Sequence, residues 1–482
     1  MSSSQVVNKG RLSVGWWPGK NGLLVVSHPE VMNEACRGAA MITHTPCEQL
    51  MQMPSDTSSI PPVWRPTLGP APHRDLCTDC GMSRTSDPKR CGQACQFIQP
   101  DYPRLEAKVH GRVRDPQKGD ELFFGVHQRM WRAALQPASS GAQWSGITTR
   151  LAQRLLETGA VDAVLTMAPD PNDRWRPVPV LVTQAEGMVQ CRGMRMGYAP
   201  LLALLEPALQ QGYKRLAVIG IPCQVYALRA LEAQLGLERL YVIGTPCSDN
   251  TTTERFHEFL ALVAAQTNDK PEDIVYLEFL ADYHVELRFA DGRQRKVPFL
   301  MLPLSDLPRD FFPLTCRTCV DYTNALADIT VGYMAGQGEQ WLLVRNARGE
   351  ELLQLLGDEV KLAEPGSAGK RQGPVKGFLT NTERAAGGLP LRRMPQWMRP
   401  VVGWLMPKVG PRGLEFARAR LEMKAVETVI HLRREEPRRI KSMVPAHVWA
   451  LVKPYGLSPQ PEETSASQAP SRQPEHGQLG MF

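Results

Sequence analysis

No stretch of this 482-residue chain is apolar for anything near the roughly 20 residues that a membrane-spanning helix needs. Neither a G-x-G-x-x-G fingerprint nor a G-x-x-x-x-G-K-[ST] loop occurs, which disfavours a nicotinamide-binding Rossmann domain and a nucleoside triphosphatase. No secretory apolar region follows the start, and no acidic residue precedes Glu30, so the first stretch is faintly like a transit peptide. A net charge of +7 is modest at this length and asks for no nucleic acid partner.

Hydrophobic residues make up 43% and charged ones 22%, as in an ordinary globular protein large enough for two or three domains. Residues 1–70 read as an extension rich in Ser, Pro and Thr, with Met41, Met51 and Met53 as alternative starts. A cysteine-rich segment occupies 71–120, an α/β core 121–350 and a basic helical region 351–457. A disordered tail is expected over 458–482. Within the core, helices are expected over Glu121–Leu135, from Ile147 to Gly159, at Leu201–Gln210 and at Thr253–Gln266. Strands are expected at Ala163–Met167, Val178–Thr183, Val275–Phe279, Val285–Phe289 and Asp328–Met334. The Trp397–Val409 stretch reads as packing or substrate wall, and the basic run Arg433–Lys441 as a solvated helix face or a dock for an acidic protein.

Eleven cysteines are an odd number, and eight of them stand in clusters within a long globular chain. That pattern points to a reducing compartment and to thiolates used for metal or redox work. Cys36, Cys47 and Cys191 fall outside the clusters. Cys77, Cys80, Cys91 and Cys95 follow the spacing C-x2-C-x10-C-x3-C, four thiols within 19 residues. Spacing alone leaves structural zinc and an iron–sulfur cluster equally open.

A hexapeptide occurs twice: Val218-Ile219-Gly220-Ile221-Pro222-Cys223 and Val242-Ile243-Gly244-Thr245-Pro246-Cys247, with the cysteines 24 residues apart. Each copy reads as a buried strand, a glycine turn and a proline–cysteine loop. Val225, Leu228 and Leu231 suggest a helix between them, which makes the strands parallel neighbours. Both cysteines then stand at the carboxyl ends of adjacent strands, where open α/β sheets place ligands. Cys316-Arg317-Thr318-Cys319 supplies two more thiols for a second set of four. The loop Gly141–Thr149 ahead of a helix suits a phosphate group through backbone N–H groups and two threonine hydroxyls, although a plain N-cap also explains Thr148 and Thr149.

Three strings carry a resemblance: Gly141-Ala142-Gln143-Trp144; Cys223-Gln224-Val225 with Ala227-Leu228-Arg229; and Asp321–Asp328 with Val331-Gly332-Tyr333-Met334. They resemble the family of deazaflavin-coenzyme hydrogenase/dehydrogenase β-subunits over residues 73–457. Within it they look like the chlorophyll branch. Pro246–Asn250 and Asn381–Arg393 are most similar to the ferredoxin-dependent 8-vinyl reductases of cyanobacterial type.

The resemblance implies an α/β fold with an N-terminal iron–sulfur segment, a flavin-binding core and a helical C-terminal region. It also implies FAD, two 4Fe–4S clusters, reduced ferredoxin as donor and divinyl chlorophyllide or protochlorophyllide as substrate. Homo-oligomers are compatible with it. So is a cytoplasmic place at the edge of photosynthetic membranes, or a plastid in a eukaryote. Cys77, Cys80, Cys91 and Cys95 would hold one cluster, and Cys223, Cys247, Cys316 and Cys319 the other. Ser83 stands where plant relatives carry a third cysteine, and Cys91 restores the count. Gly141, Gln143, Trp144, Gly146, Thr148, Thr149 and Asn324 would contact the flavin. Asp321, Tyr322 and His127 are the candidate proton donors. Reduction of a 7-hydroxymethyl group, a component of a deazaflavin-coenzyme oxidoreductase and a zinc-bearing binding protein remain as alternatives.

Overall fold

The computed structural model describes residues 63–66, 76–98, 100–280, 282–336, 339–385 and 394–463. The expectations for most of the extension, including Cys36 and Cys47, for most of the tail, and for Ala386–Arg393 of the quoted string lie outside these residues; Val63–Trp64 of the extension pairs with Leu181–Val182 as a short strand.

Twelve strands organise the core: β1 (Val63–Trp64), β2 (Arg129–Leu135), β3 (Ala163–Asp170), β4 (Asp173–Val182), β5 (Arg215–Gly220), β6 (Arg239–Gly244), β7 (Ile274–Phe279), β8 (His284–Phe289), β9 (Gln294–Pro298), β10 (Ile329–Gly336), β11 (Glu339–Val344) and β12 (Val360–Ala363). Nine form one mixed sheet in the order β1-β4-β3-β5-β6-β10-β11-β2-β12, and β7-β8-β9 form a small antiparallel sheet. The central four, β3, β5, β6 and β10, run parallel. The twin hexapeptide lies side by side as read, with Gly220 opposite Gly244. The helix between the copies spans Pro222–Leu231.

Strands buried on both faces need unbroken apolar runs, and Leu216–Val218 and Val242–Ile243 supply them. On one face Ala217, Ile219, Ile243, Ile329 and Leu342 meet Ile147, Leu151 and Leu155 of the helix Ile147–Glu157, together with Leu352 and Leu356 of Ala347–Leu356. Each such Ile or Leu side chain contributes about 1.5–3 kcal/mol on burial. A second core is C-terminal. Val426, Val429 and Ile430 of the helix Leu414–Glu435 pack with Trp449, Val452 and Tyr455, and Cys95, Cys223 and Cys319 lie against this cluster. The helical C-terminal region therefore packs over these three cysteines.

The helix expected over Glu121–Leu135 is corrected. Only Glu121–Phe124 is helical, Gly125 leaves it at φ 72°, and Arg129–Leu135 is strand β2. Its backbone is paired on both sides, Arg132 with Trp341 and Ala134 with Lys361. Partners far away in the sequence override the local period of Leu122, Val126 and Met130. Strand β12, from the region expected to be helical, closes that edge of the sheet. The Trp397–Val409 stretch is also corrected: Trp397 and Trp404 face outward rather than pack. Among the described residues no helix is long and apolar enough to cross a membrane.

Candidate functional site

The parallel strands all deliver their carboxyl ends to one edge of the sheet. Cys223 is the second residue of the helix that leaves β5, and Cys247 follows β6 by three residues. Both places are set by what surrounds them. The Gln224 amide accepts from the Ile221 N–H at 3.1 Å and donates to the Ala199 carbonyl at 2.9 Å, fixing the turn before Cys223. Pro246, before Cys247, sits where a Cβ on Gly332 would come within 2.2 Å of its ring, so only glycine fits opposite it.

Cys316 and Cys319 come from the single turn Leu314–Arg317 and the residues after it, and the Thr428 hydroxyl donates to the Cys319 carbonyl at 3.0 Å. Cys223, Cys247, Cys316 and Cys319 line one cavity with Thr78, Gln96 and Tyr198. Burial and the neighbouring thiols push Cys223 and Cys247 well above the usual thiol range. Burial lifts Cys316 to about 11 and Cys319 to about 12.

Cys77, Cys80, Cys91 and Cys95 form the second gathering. Burial pushes Cys80 up to about 12, opposed by a backbone hydrogen bond at Met82 and reinforced by Cys95, Cys91 and Cys77. The Asp79–Arg84 ion pair braces this loop, whose start is tied down where the Leu202 N–H donates to the Cys80 carbonyl at 2.9 Å. Gly81 has φ 107°, and a Cβ there would stand 2.5 Å from the Ala203 nitrogen, so this turn admits no side chain.

The two gatherings interlock. The Thr78 side chain hydrogen-bonds Cys223, the Gln96 amide donates to the Cys319 sulfur at 3.7 Å, and Cys80 is close enough to act electrostatically on Cys223. Among the described residues no group of three or more His, Cys, Asp or Glu converges as the ligands of a single metal ion. Cys191 stands apart from both sets; burial lifts it to about 11, and the nearby Arg195 pulls the other way.

The Gly141–Thr149 loop reaches the same sheet edge by another route. Gln340, at the start of β11, accepts from the Ser145 hydroxyl and the Ile147 N–H, both at 3.0 Å. Since β11 runs antiparallel to β10, its start lies at the carboxyl edge of the parallel strands. Gly141, Trp144 and Gly146 all carry positive φ, and the Trp144 side chain bonds Glu278 in the small sheet. Gly141 is exposed, Gln143, Trp144 and Thr148 are half-buried, and Thr149 is buried. Gln340 occupies one of the N–H groups that an anion at this helix start would use.

Asn324 sits fully buried with φ 59°, and its amide donates to the Gly220 carbonyl at 2.7 Å and to Thr245 at 3.3 Å. It thus bridges the ends of β5 and β6, while its own Oδ1 is buried without a partner. The two oxygens of Asp321 accept from the Ala325 N–H at 3.1 and 3.0 Å, so this carboxyl caps the turn Asp321–Ala325. Burial pushes it above the ordinary carboxyl range, against the pull of Arg345. Asp321 and Tyr322 line a second cavity with Arg114, Lys424 and His447. His127 is not among its lining. Its Nδ1 lies 2.9 Å from the Gly125 carbonyl, and burial lowers its pKa.

Several residues that hold the site gave no local signal. The buried Lys424 donates to Asp249 at 2.6 Å and to Glu427 at 3.0 Å, linking the C-terminal helix to the loop after Cys247. Those two carboxylates keep it protonated despite burial. Arg345 donates to the carbonyls of Phe124, Val126 and Thr323, and Arg229 pairs with Asp328 at 2.8 Å. Together they fasten the Asp321–Asp328 segment from two sides. Arg433, in the basic run, is taken by Glu463 at 2.8 Å.

Two family models match the chain, both describing the coenzyme F420 hydrogenase/dehydrogenase beta subunit: its N-terminal part over residues 130–206, and its C terminus over 213–366. An uncharacterized protein of Nostoc sp. is 36% identical over 387 residues, 80% of this chain and 95% of that protein. The chloroplastic 7-hydroxymethyl chlorophyll a reductase of Oryza sativa is 35% identical over 438 residues, 87% of this chain and 90% of the relative. One component of the F(420)H(2) dehydrogenase of Methanosarcina mazei is 28% identical over 54% of this chain and 70% of its own length.

Proposed function

We propose, from the premise that this chain belongs to the family of coenzyme F420 hydrogenase/dehydrogenase β-subunits, that it is an oxidoreductase acting on a chlorophyll-type tetrapyrrole. The finer reading is reduction of the 8-vinyl group of divinyl chlorophyllide or protochlorophyllide to ethyl, with reduced ferredoxin as donor. The observation that carries the redox reading is the pairing of two four-thiol gatherings at one sheet edge, tied together through Thr78 and Gln96.

Cys77, Cys80, Cys91 and Cys95 would hold one 4Fe–4S cluster, and Cys223, Cys247, Cys316 and Cys319 the second. A 4Fe–4S cluster takes four thiolates, one per iron, which is what each quartet of cysteines offers. Burial raises the thiols of Cys80, Cys95, Cys223, Cys247, Cys316 and Cys319, which fits ligands that give up protons only when a cation arrives. FAD would lie along Gly141, Gln143, Trp144, Gly146, Thr148 and Thr149, with the unpartnered Oδ1 of Asn324 as a further polar contact. When bound, clusters supply single electrons and a flavin accumulates two, which lets a one-electron donor drive a two-electron reduction.

Saturating a vinyl group consumes two electrons and two protons. The protein must therefore hold a proton close to the site. Burial raises the Asp321 carboxyl above its ordinary range, and Tyr322 and His447 share its cavity. His127 is the weaker candidate, because it lies outside that lining. The +7 net charge suits an acidic electron donor.

A second reading, reduction of a 7-hydroxymethyl group to methyl with release of water, is favoured by the 35% identity to the rice enzyme. It consumes the same two electrons and two protons. Anaerobic protein given reduced ferredoxin and each pigment in turn, with the absorption spectrum followed, separates the two. Conversion of the divinyl pigment supports the first reading, conversion of the hydroxymethyl pigment alone the second, and conversion of neither overturns both.

A further inference from the structure

The helix Met398–Val409 turns an apolar face to solvent. Trp397, Val401, Trp404, Leu405 and Val409 recur at intervals of four, three, one and four, which is one stripe of a helix. Trp397 is 74% exposed and Trp404 65%. Met301, in the adjoining turn Phe299–Met301, is also exposed. The opposite face is anchored: Gly403 is buried against Pro298, and the buried Arg399 donates to the Ser305 hydroxyl at 2.9 Å. The stripe is thus held rigidly outward.

Its charge surroundings narrow what could cover it. Residues 384–414 contain Arg384, Arg392, Arg393, Arg399, Lys408 and Arg412 and not one Asp or Glu. Lys408 Nζ lies 3.5 Å from the Trp404 ring centroid, so a cation borders the apolar stripe. A second copy packed through the same face about a two-fold axis would bring the exposed Lys408 and Arg412 of both copies into the contact with no acidic residue of 384–414 to offset them. Tryptophans beside cations on one face of a short, rigidly mounted helix are the chemistry of a membrane–water interface carrying negative headgroups.

We infer that Met398–Val409 is a docking helix that lies in the headgroup layer of an anionic bilayer, seating Trp397, Val401, Trp404 and Leu405 without crossing it. This stands independently of which pigment the protein reduces. The test is co-sedimentation of the full chain, with its cofactors, with vesicles of equal parts phosphatidylcholine and phosphatidylglycerol, and with pure phosphatidylcholine vesicles. Binding is expected to the mixed vesicles, weaker to the neutral ones, and reduced by salt. Trp397→Ser/Trp404→Ser should weaken it by about tenfold or more, because the apolar seat is lost. Lys408→Gln should weaken it less, with the difference vanishing at high salt. Both sites are exposed, so an unchanged melting temperature and solution mass are also expected. Failure of the wild type to sediment with mixed vesicles, or wild-type binding by the double variant, overturns the inference. So does a fall in oligomer mass on Trp404→Ser without vesicle binding, which would make the ridge a contact between copies.

Discussion

Replacing Arg229 by methionine tests how the segment that carries the site is held. Arg229 and Asp328 are fully buried and pair at 2.8 Å, and Arg229 Nε also donates to the Leu326 carbonyl at 3.0 Å. Burial alone would raise Asp328, yet Arg229 and Arg348 hold it below the ordinary carboxylate range. Removing one partner of such a pair costs about 3–5 kcal/mol. Asp328 keeps the Val242 N–H at 2.8 Å, the Asn346 amide at 2.8 Å and Arg348 Nε at 3.0 Å, which argues for the lower end. For a chain of this size, about 3 kcal/mol corresponds to a melting temperature lower by about 4 °C. Thermal unfolding followed by circular dichroism, on preparations matched for iron, measures it. Asp328→Asn in the Arg229→Met background should restore at least about 1 kcal/mol, because without Arg229 the buried carboxylate has only the half-exposed Arg348 to offset its charge. An Arg229→Met variant within about 1 °C of wild type, or a double variant less stable than the single, would refute this account of the buried pair.

Other outcomes follow from the same geometry. Cys223→Ser or Cys247→Ser should each lose about half of the bound iron with the fold largely formed, whereas Cys191→Ser should leave iron unchanged. Equal loss at Cys191 would mean the ligand sets are wrong. Gly332→Ala forces a Cβ into the Pro246 ring and should lower iron at the second site more than at the first, as read by iron analysis and electron paramagnetic resonance. Glu435 resists burial through His431 and Arg317, which lower it from 4.5 to about 2. Its folded pKa lies below the unfolded one, so its contribution, at most about 3 kcal/mol, is present above the unfolded value and is lost as pH falls toward the folded one. The melting temperature of Glu435→Gln should therefore trail wild type near neutral pH and converge with it in acid. A gap that stays constant through acid pH would show that Glu435 is not stabilised as a carboxylate.

The parallel core was legible because its strands are short, apolar on both faces and punctuated by glycine. The echo of Val218–Cys223 in Val242–Cys247 is a register match, and the structure pairs the strand portions of the two copies residue for residue. The gathering of Cys316 and Cys319 with Cys223 and Cys247 was also readable, since those thiols complete a set of four. Strand β2 was not readable: the helical spacing of Leu122, Val126 and Met130 runs into it, and its identity comes from β11 and β12 on either side. Lys424 was missed because its partner Asp249 is 175 residues away, and a lysine on a basic helix reads as solvated. The outward face of Trp397 and Trp404 was missed for the opposite reason, since tryptophan in a sequence suggests a core.

The central claim is that eight cysteines hold two iron–sulfur clusters side by side. Iron, acid-labile sulfide and zinc measured on one anaerobic preparation test it most directly. About eight irons and eight sulfides per chain, without stoichiometric zinc, is the predicted result. A colourless protein with one zinc per thiol quartet and no iron would contradict it.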